Sequence, residues 1–369
     1  MNILKKLTLF AVSGTLLMQM LPLSAKAETD GSFSYALKKD GTAEISCVNK
    51  SIKTAEIPSE ISGHAVTALA DNCFADCTVL EDVSIPDTIT EFGDYAFYGC
   101  SALEEIRIPA SVAKIGNYAF ETTEHMLLFS VEENNPAYQS PDGVLYNKSG
   151  DTLIKYPEAR PDTGYAVLDA CRSVADWAFI GAQYLEQIDL KQVQDIGTDA
   201  FYFCISLKEI TVPEGVAVLD GAVFSFCESL EQAVLPSTLK SIGDNCFYSC
   251  TSLKSVNLPE GLEKIGAYAF CHCTALNALV IPKSLTGMNI DCMGYLYDEE
   301  NDAYLVQDDF TLYVYKDSPA FRYAVTNQIN YEFIQTGTIY YILIAVVLII
   351  IVILITAIVK VLKNRRTES

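Results

Sequence analysis

Along most of the chain, apolar and polar positions follow one short template. The stretch IGDNCFYSCTSLKSVNLPEGLEK, Ile242 to Lys264, is followed at once by IGAYAFCHCTALNALVIPKSLTG. The two share a length of 23 residues and most of their apolar positions. The common frame reads I-G-x-x-A-F-x-x-C-x-x-L-x-x-I-x-I-P-x-x-V. Its phenylalanine recurs at Phe74, Phe97, Phe120, Phe179, Phe201, Phe224, Phe247 and Phe270, with spacings of 23, 23, 59, 22, 23, 23 and 23. Segments such as LEDVSIP, LEEIRIP, LKEITVP and LNALVIP alternate apolar with polar residues, which predicts short strands with one buried and one solvated face. Pro86, Pro109, Pro213, Pro236, Pro259 and Pro282 end those strands, since proline donates no ladder hydrogen bond. Gly93, Gly116, Gly197, Gly243 and Gly266 open the return arc. No unit this short buries its own apolar edge, so the units must stack.

Self-similarity at about 20–29 residues carrying L-x-x-I-x-I is the signature of a leucine-rich-repeat solenoid. The frame resembles the BspA-like subfamily of leucine-rich-repeat proteins, which are common on bacterial surfaces, and the resemblance covers roughly residues 50–334. It implies short parallel strands with turns or short helical arcs over roughly 8–10 coils, and adhesion to host or neighbouring-cell proteins. The segment NPAYQSPDGVLYNKSGDTLIKYP is similar to a hairpin found inside such arrays.

The spacing divides the rest. Repeats occupy 69–120 and 174–287, and the one long gap is a period plus 36 residues, an insert over 121–173. Within it VLYNKSGDTLIKY reads as two strands joined through Asn147-Lys148-Ser149-Gly150, either a decoration on one edge of the solenoid or a binding loop. EENNPAYQSPDG lacks the spaced acids and terminal Glu of a calcium loop. Residues 28–68 open with a hairpin that turns at Asp40-Gly41. Residues 288–334 form a C-terminal α/β cap: a strand over Phe310–Tyr315, a helix started by Ser318-Pro319 and a strand ending at Ile334.

Beyond the repeats, residues 1–27 carry a short positive region, an apolar run and Ala25-Lys26-Ala27, the order of a secretory signal peptide. Ile339–Val359 is a 21-residue stretch without charge, followed by Lys360, Lys363, Arg365 and Arg366. It predicts a single transmembrane helix with 360–369 as a cytoplasmic tail and the N-terminal ectodomain outside. The alternative is wall attachment, because FIQTG at Phe333–Gly337 partly matches a sortase signal. Setting aside three lysines in 1–27, and four basic residues and one acid in 360–369, leaves 18 basic and 46 acidic side chains, a net of −28. A surface so acidic excludes nucleic acid as a partner.

Chemistry is scarce. Twelve cysteines in a secreted chain ordinarily suggest disulfides. Yet Cys77, Cys100, Cys204, Cys227, Cys250 and Cys273 all fall three residues after the repeat phenylalanine, a stacked register that suits buried free thiols. Cys47, Cys171 and Cys292 lie off that column and are the better candidates for a bond. Cys271-His272-Cys273 lacks the second pair of a zinc site, so no metal or cofactor is assigned. His64, His125 and His272 share no column, and no nucleophile elbow or phosphate loop occurs, which points away from an enzyme.

What remains is surface. If the strands line a concave face, its outward rows are Asp82, Glu105, Gln187, Glu209, Gln232, Ser255 and, beside them, Ser84, Arg107, Asp189, Thr211, Val234, Asn257. This face would bind an extracellular protein, a host matrix component or a neighbouring cell's surface. An aromatic alternative comprises Tyr95, Tyr98, Tyr118, Trp177, Tyr202, Tyr248 and Tyr268, whose rings would stack on a glycan or anchor a protein. A non-catalytic subunit or sensor of a membrane complex is the other alternative.

Overall fold

The computed structural model describes residues 28–334, apart from 290 and 299. Within them the chain winds a β-solenoid of about 13 turns. A regular coil has three sides. The first carries the L-x-x-I-x-I strand, and these strands pair in parallel across coils, with Glu209 opposite Gln232 and Gln232 opposite Ser255. A two-residue strand just before the glycine column forms the second, as at Glu91–Phe92, Lys114–Ile115, Ser241–Ile242 and Lys264–Ile265, again parallel.

On the third side runs a series of turns around the core phenylalanine. Alternate N–H groups there serve two purposes. Those of Asn72, Phe74 and Asp76 donate to Asp94, Ala96 and Tyr98 one coil on, whereas those of Cys73, Ala75 and Cys77 close turns within the coil. The alternation requires two left-handed residues per coil, four apart: Tyr95 and Gly99, Trp177 and Gly181, Ala222 and Phe226, Tyr268 and His272. These turns stand where helical arcs were expected. The fold class is therefore corrected to a β-solenoid of about 13 turns, more than the 8–10 coils expected, with one short helix.

Packing follows from the column. The phenylalanine rings stack from coil to coil at centroid distances of 5.3 Å for Phe74–Phe97, 4.7 Å for Phe179–Phe201 and 5.1 Å for Phe247–Phe270. Such close spacing explains the glycines. A Cβ at Gly93, Gly116, Gly197, Gly243 or Gly266 would lie 2.4–2.6 Å from atoms of the preceding coil. Aspartates one position later add a rung, since the Oδ1 atoms of Asp71, Asp94, Asp176 and Asp244 accept the N–H of the same position in the next coil.

The insert belongs to the stack. Thr152–Lys155 pairs with Leu145–Asn147 as a hairpin and continues the second side through Ser173–Val174. Tyr156 then takes the place of the repeat phenylalanine, stacked on Phe179 at 5.0 Å, and its N–H donates to Ala178 as the phenylalanines do. The apolar core is nevertheless divided here, into one cluster from Phe33 to Leu145 and another from Val144 to Ile329.

Both ends are covered. Phe33–Leu37 and Ala43–Cys47 form the N-terminal hairpin, and Asp40 accepts the Thr42 N–H in its turn. At the far end Thr311–Val314 and Asn330–Phe333 extend the first side in parallel around the helix Pro319–Thr326, whose first turn is capped by Ser318 Oγ accepting from Phe321 N–H. The expected transmembrane helix and the single-pass topology drawn from it are corrected on this point. Among the described residues no helix is long and apolar enough to cross a membrane. Segments 1–27, 339–359 and 360–369 lie outside the described residues.

Candidate functional site

Side chains in both outward rows of the first side reach solvent, because their strand neighbours Val83, Ile106, Ile210 and Ala233 are the ones buried. Asp82, Ser84, Glu105, Arg107, Gln187, Asp189, Glu209, Thr211, Ser255 and Asn257 are exposed; Gln232 and Val234 are half-buried. Several already have partners. Arg107 pairs with Glu132 at 2.5 Å, and the Glu132 carboxyl is held below its ordinary range by the Ala110 N–H and then by Arg107. Gln187 donates to Glu209 at 3.0 Å. Asn257 is spent on the fold. Its Nδ2 donates to Leu235 O at 2.8 Å while its Oδ1 accepts from Leu235 N at 2.7 Å, a side-chain rung where the strand has ended.

The aromatic residues form a second, continuous feature on the turn side. Ring contacts run from Tyr98 to Tyr95 to Tyr118 to Trp177 to Tyr202, at 5.8, 5.2, 5.9 and 6.2 Å. They continue through Phe226 to Tyr248 at 5.6 and 5.4 Å, while Tyr268 stacks on Tyr304 at 4.8 Å. Phe203, Phe226 and Tyr304 are members that the column reading omits. Tyr202 and Tyr248 are buried, whereas Tyr95, Tyr98, Tyr118, Trp177 and Tyr268 are half-buried and offer edges. Tyr95, Tyr118, Trp177 and Tyr268 sit at φ of 56–60°, a left-handed conformation that costs a bulky residue about 1–3 kcal/mol. The stack offsets that cost.

Between the two cores lies a charge cluster that sequence spacing did not reveal. Lys155 is only 2 % exposed, and its ammonium donates to Glu121 at 2.7 Å and Glu158 at 3.3 Å. Glu158 also accepts the Thr123 N–H. Burial raises the Glu121 carboxyl to about 7 despite Lys155, and burial likewise raises Glu158. For Lys155 burial acts to lower the ammonium, but the two carboxylates hold it above its ordinary value. A clue was present in IKYPE: Tyr156 in the phenylalanine column places Lys155 and Glu158 beside it, in line with the buried Glu121.

All twelve cysteines are buried and free. Those of the column use their S–H productively: Cys100, Cys204, Cys227, Cys250 and Cys273 donate to the carbonyls of Phe74, Phe179, Phe201, Phe224 and Phe247 at 3.1–3.3 Å. Cys47, Cys171 and Cys292, the candidates for a bond, are free as well. Burial raises the thiols of Cys100 and Cys273 to about 12, while contact with the Cys77 thiol lowers that of Cys47. Alkylation of the folded protein at pH 8, followed by mass spectrometry, should mark Cys47 first and leave the column thiols unmarked until denaturant is added. Rapid marking of Cys227 or Cys250 in the folded state would contradict this packing.

The three histidines remain apart, with His64 and His125 each against a carbonyl, Gly41 O and Ser101 O, and His272 Nδ1 accepting from the Tyr297 N–H. Among the described residues no group of three or more His, Cys, Asp or Glu is placed to hold a metal ion.

Parallel ladders, stacked phenylalanines and an outward face that varies from coil to coil define a leucine-rich-repeat solenoid. Residues 45–149 and 172–296 match the BspA type leucine-rich-repeat region in six copies, and the chain belongs to that family. Several solved structures are similar, among them the following three. The pneumococcal vaccine antigen PcpA is 16% identical over 84% of this chain and 99% of its own, with a TM-score of 0.62. A leucine-rich cell surface protein of Faecalibacterium prausnitzii is 22% identical over 76% and 97%, at 0.51. A leucine-rich-repeat protein of Eubacterium ventriosum is 23% identical over 71% and 92%, at 0.52. At such identities the likeness concerns the fold. No curated protein matches the chain.

Proposed function

We infer that this protein is a surface-displayed binding protein, non-catalytic, whose first-side strand face engages an extracellular protein partner. One observation carries the reading: the ladder holds its buried residues nearly constant while the two outward rows vary from coil to coil, from Asp82 and Glu105 near one end to exposed Val280 near the other. A rigid array with freely varied outward residues is what solenoids supply for recognition. PcpA is a vaccine antigen and the Faecalibacterium relative a cell surface protein, which supports display at a surface. The test is binding of the full-length protein to an array of extracellular-matrix proteins and glycans at physiological salt. Saturable binding to a protein, weakened about tenfold or more by Glu105→Lys with Glu209→Lys, supports the face. Binding unchanged by that double reversal removes it.

A second reading concerns the turn side. The half-buried rings of Tyr95, Tyr118 and Trp177 form an unbroken row, the arrangement on which sugar rings stack. On this reading a glycan signal disappears with Trp177→Ala and survives reversal at Glu105 and Glu209.

A further inference from the structure

The turn side carries a column of left-handed residues two positions before each repeat phenylalanine. Five of them, Trp177, Asp199, Ala222, Asn245 and Tyr268, stand in successive coils at φ of 51–60°. Backbone bonds hold them in register. Trp177 N–H donates to Thr198 O at 3.1 Å, Asp199 N–H to Gly221 O at 3.0 Å and Ala222 N–H to Asp244 O at 2.8 Å. Neighbours in the column are therefore one ladder step apart, about 4.8 Å.

The aromatic row leaves this column at Asp199. Tyr95, Tyr118 and Trp177 follow it, but the next ring contact of Trp177 is sideways, to Tyr202 at 6.2 Å. Asp199 and Ala222 take the two places where rings would have continued. Both are half-buried, and the alanine methyl fills little of its place, so the row has a notch there.

Asp199 is not compensated. Among the described residues its carboxylate accepts no hydrogen bond and joins no ion pair. Burial, and after it the neighbouring Asp176, raise this carboxyl to about 6. Burial and then the Asp199 charge push up the Tyr202 phenol, which sets the carboxylate beside that ring as well. One coil beyond Ala222, Asn245 Oδ1 is buried without a donor. A carboxylate drawn partly out of water without a cation is costly, and such groups gather where a ligand supplies the missing charge.

The surroundings narrow the kind of cation. Among the described residues no group of three or more His, Cys, Asp or Glu is placed to hold a metal ion. Rings beside the carboxylate favour an organic cation, whose charge is drawn to the face of an indole or phenol. A guanidinium suits the pair best, because its plane stacks on an aromatic ring while its N–H groups fork onto a carboxylate.

We propose that this notch receives an arginine side chain of a partner protein, with the guanidinium stacked on Trp177 and paired with Asp199. Charge complementarity with the acidic surface brings the partner in, and the ring and carboxylate fix the side chain. The notch is on the turn side and the strand face is on the first side, so either site can fail without the other.

Trp177 is the only tryptophan of the chain, so its emission reports on this place directly. The experiment is a fluorescence titration of the full-length protein with an acetylated, amidated Gly-Arg-Gly-Arg-Gly peptide at physiological salt. A peptide with citrulline for arginine, which keeps the shape and loses the charge, and a glucosamine hexamer are the comparison probes. The expected result is a saturable change with the arginine peptide and binding at least tenfold weaker with citrulline. Asp199→Asn should weaken binding roughly tenfold or more with no loss of thermal stability, since it removes a charge that has no partner in the free protein. Ala222→Tyr, the residue this column holds at Tyr95, Tyr118 and Tyr268, should fill the notch and abolish the response. Glu105→Lys with Glu209→Lys should bind as the parent does. Absence of a saturable change, equal affinity for the citrulline peptide, or equal affinity in Asp199→Asn would each overturn the proposal. A response confined to the glucosamine hexamer would overturn it too, giving the notch to an amino sugar.

Discussion

Replacing Lys155 by methionine should lower the unfolding free energy by about 3–5 kcal/mol at pH 8, the loss typical when one member of a buried ion pair is removed. Two carboxylates, Glu121 and Glu158, would be left without their cation in a site from which water is excluded. Their only escape is protonation, so the loss should be smaller at pH 5. The parent protein has a related dependence. Glu121 is raised on folding from 4.5 to about 7. A group raised on folding contributes stability that is complete below its unfolded value and is lost as pH climbs through its folded one. The junction between the two cores is therefore firmest in mild acid and weakens through neutrality, while Lys155, itself raised, stays charged across that window. Thermal unfolding of Lys155→Met at pH 5 and pH 8 measures the effect, and a change under about 1 kcal/mol at both would remove the cluster's structural role. Glu121→Met, Lys155→Met and Glu158→Met together should regain most of the stability, as apolar replacement of a buried ion triad does elsewhere.

Phe224→Ala should cost about as much, ~3–5 kcal/mol, for a different reason. Its ring is fully buried between Phe201 at 5.4 Å and Phe247 at 5.2 Å. Truncation leaves a cavity between two stacked neighbours that the ladders hold at fixed separation, so collapse is limited. Each coil touches only the next, so protection from hydrogen exchange should fall most in the coils of Phe201 and Phe247 and least at the two ends. Denaturant unfolding combined with exchange measures both parts. Uniform loss along the chain would show a single cooperative core instead of nearest-neighbour stacking.

The period and the buried columns were legible in the sequence because each column is nearly one residue type: phenylalanine, leucine, cysteine, glycine. The coil within the insert was not, since tyrosine stands for phenylalanine at Tyr156 and the spacing to Phe179 follows a hairpin. Nor did the columns disclose the turn side. Several of its left-handed positions, Tyr95, Tyr118, Trp177, Phe203, Phe226 and Tyr268, hold aromatic residues that propensity places elsewhere, and they are tolerated because rings stack across coils. The outward rows could be named residue by residue, but their partners could not. Asn257 looks like a free amide in sequence and is a backbone rung in space. Asp220 reads as one more surface acid among many, yet it stands four residues before Phe224, where other coils carry the glycine whose Cβ would lie 2.4–2.6 Å from the preceding coil.

The alternating wiring of the turn side has a mechanical consequence. Its inter-coil bonds, such as Phe74 to Ala96 and Phe224 to Cys246, join each turn to the next. Tension applied to the two ends therefore peels one turn at a time, as a zip opens tooth by tooth. Each 23-residue turn released pays out roughly 80 Å of contour. An array built this way lengthens in steps under load.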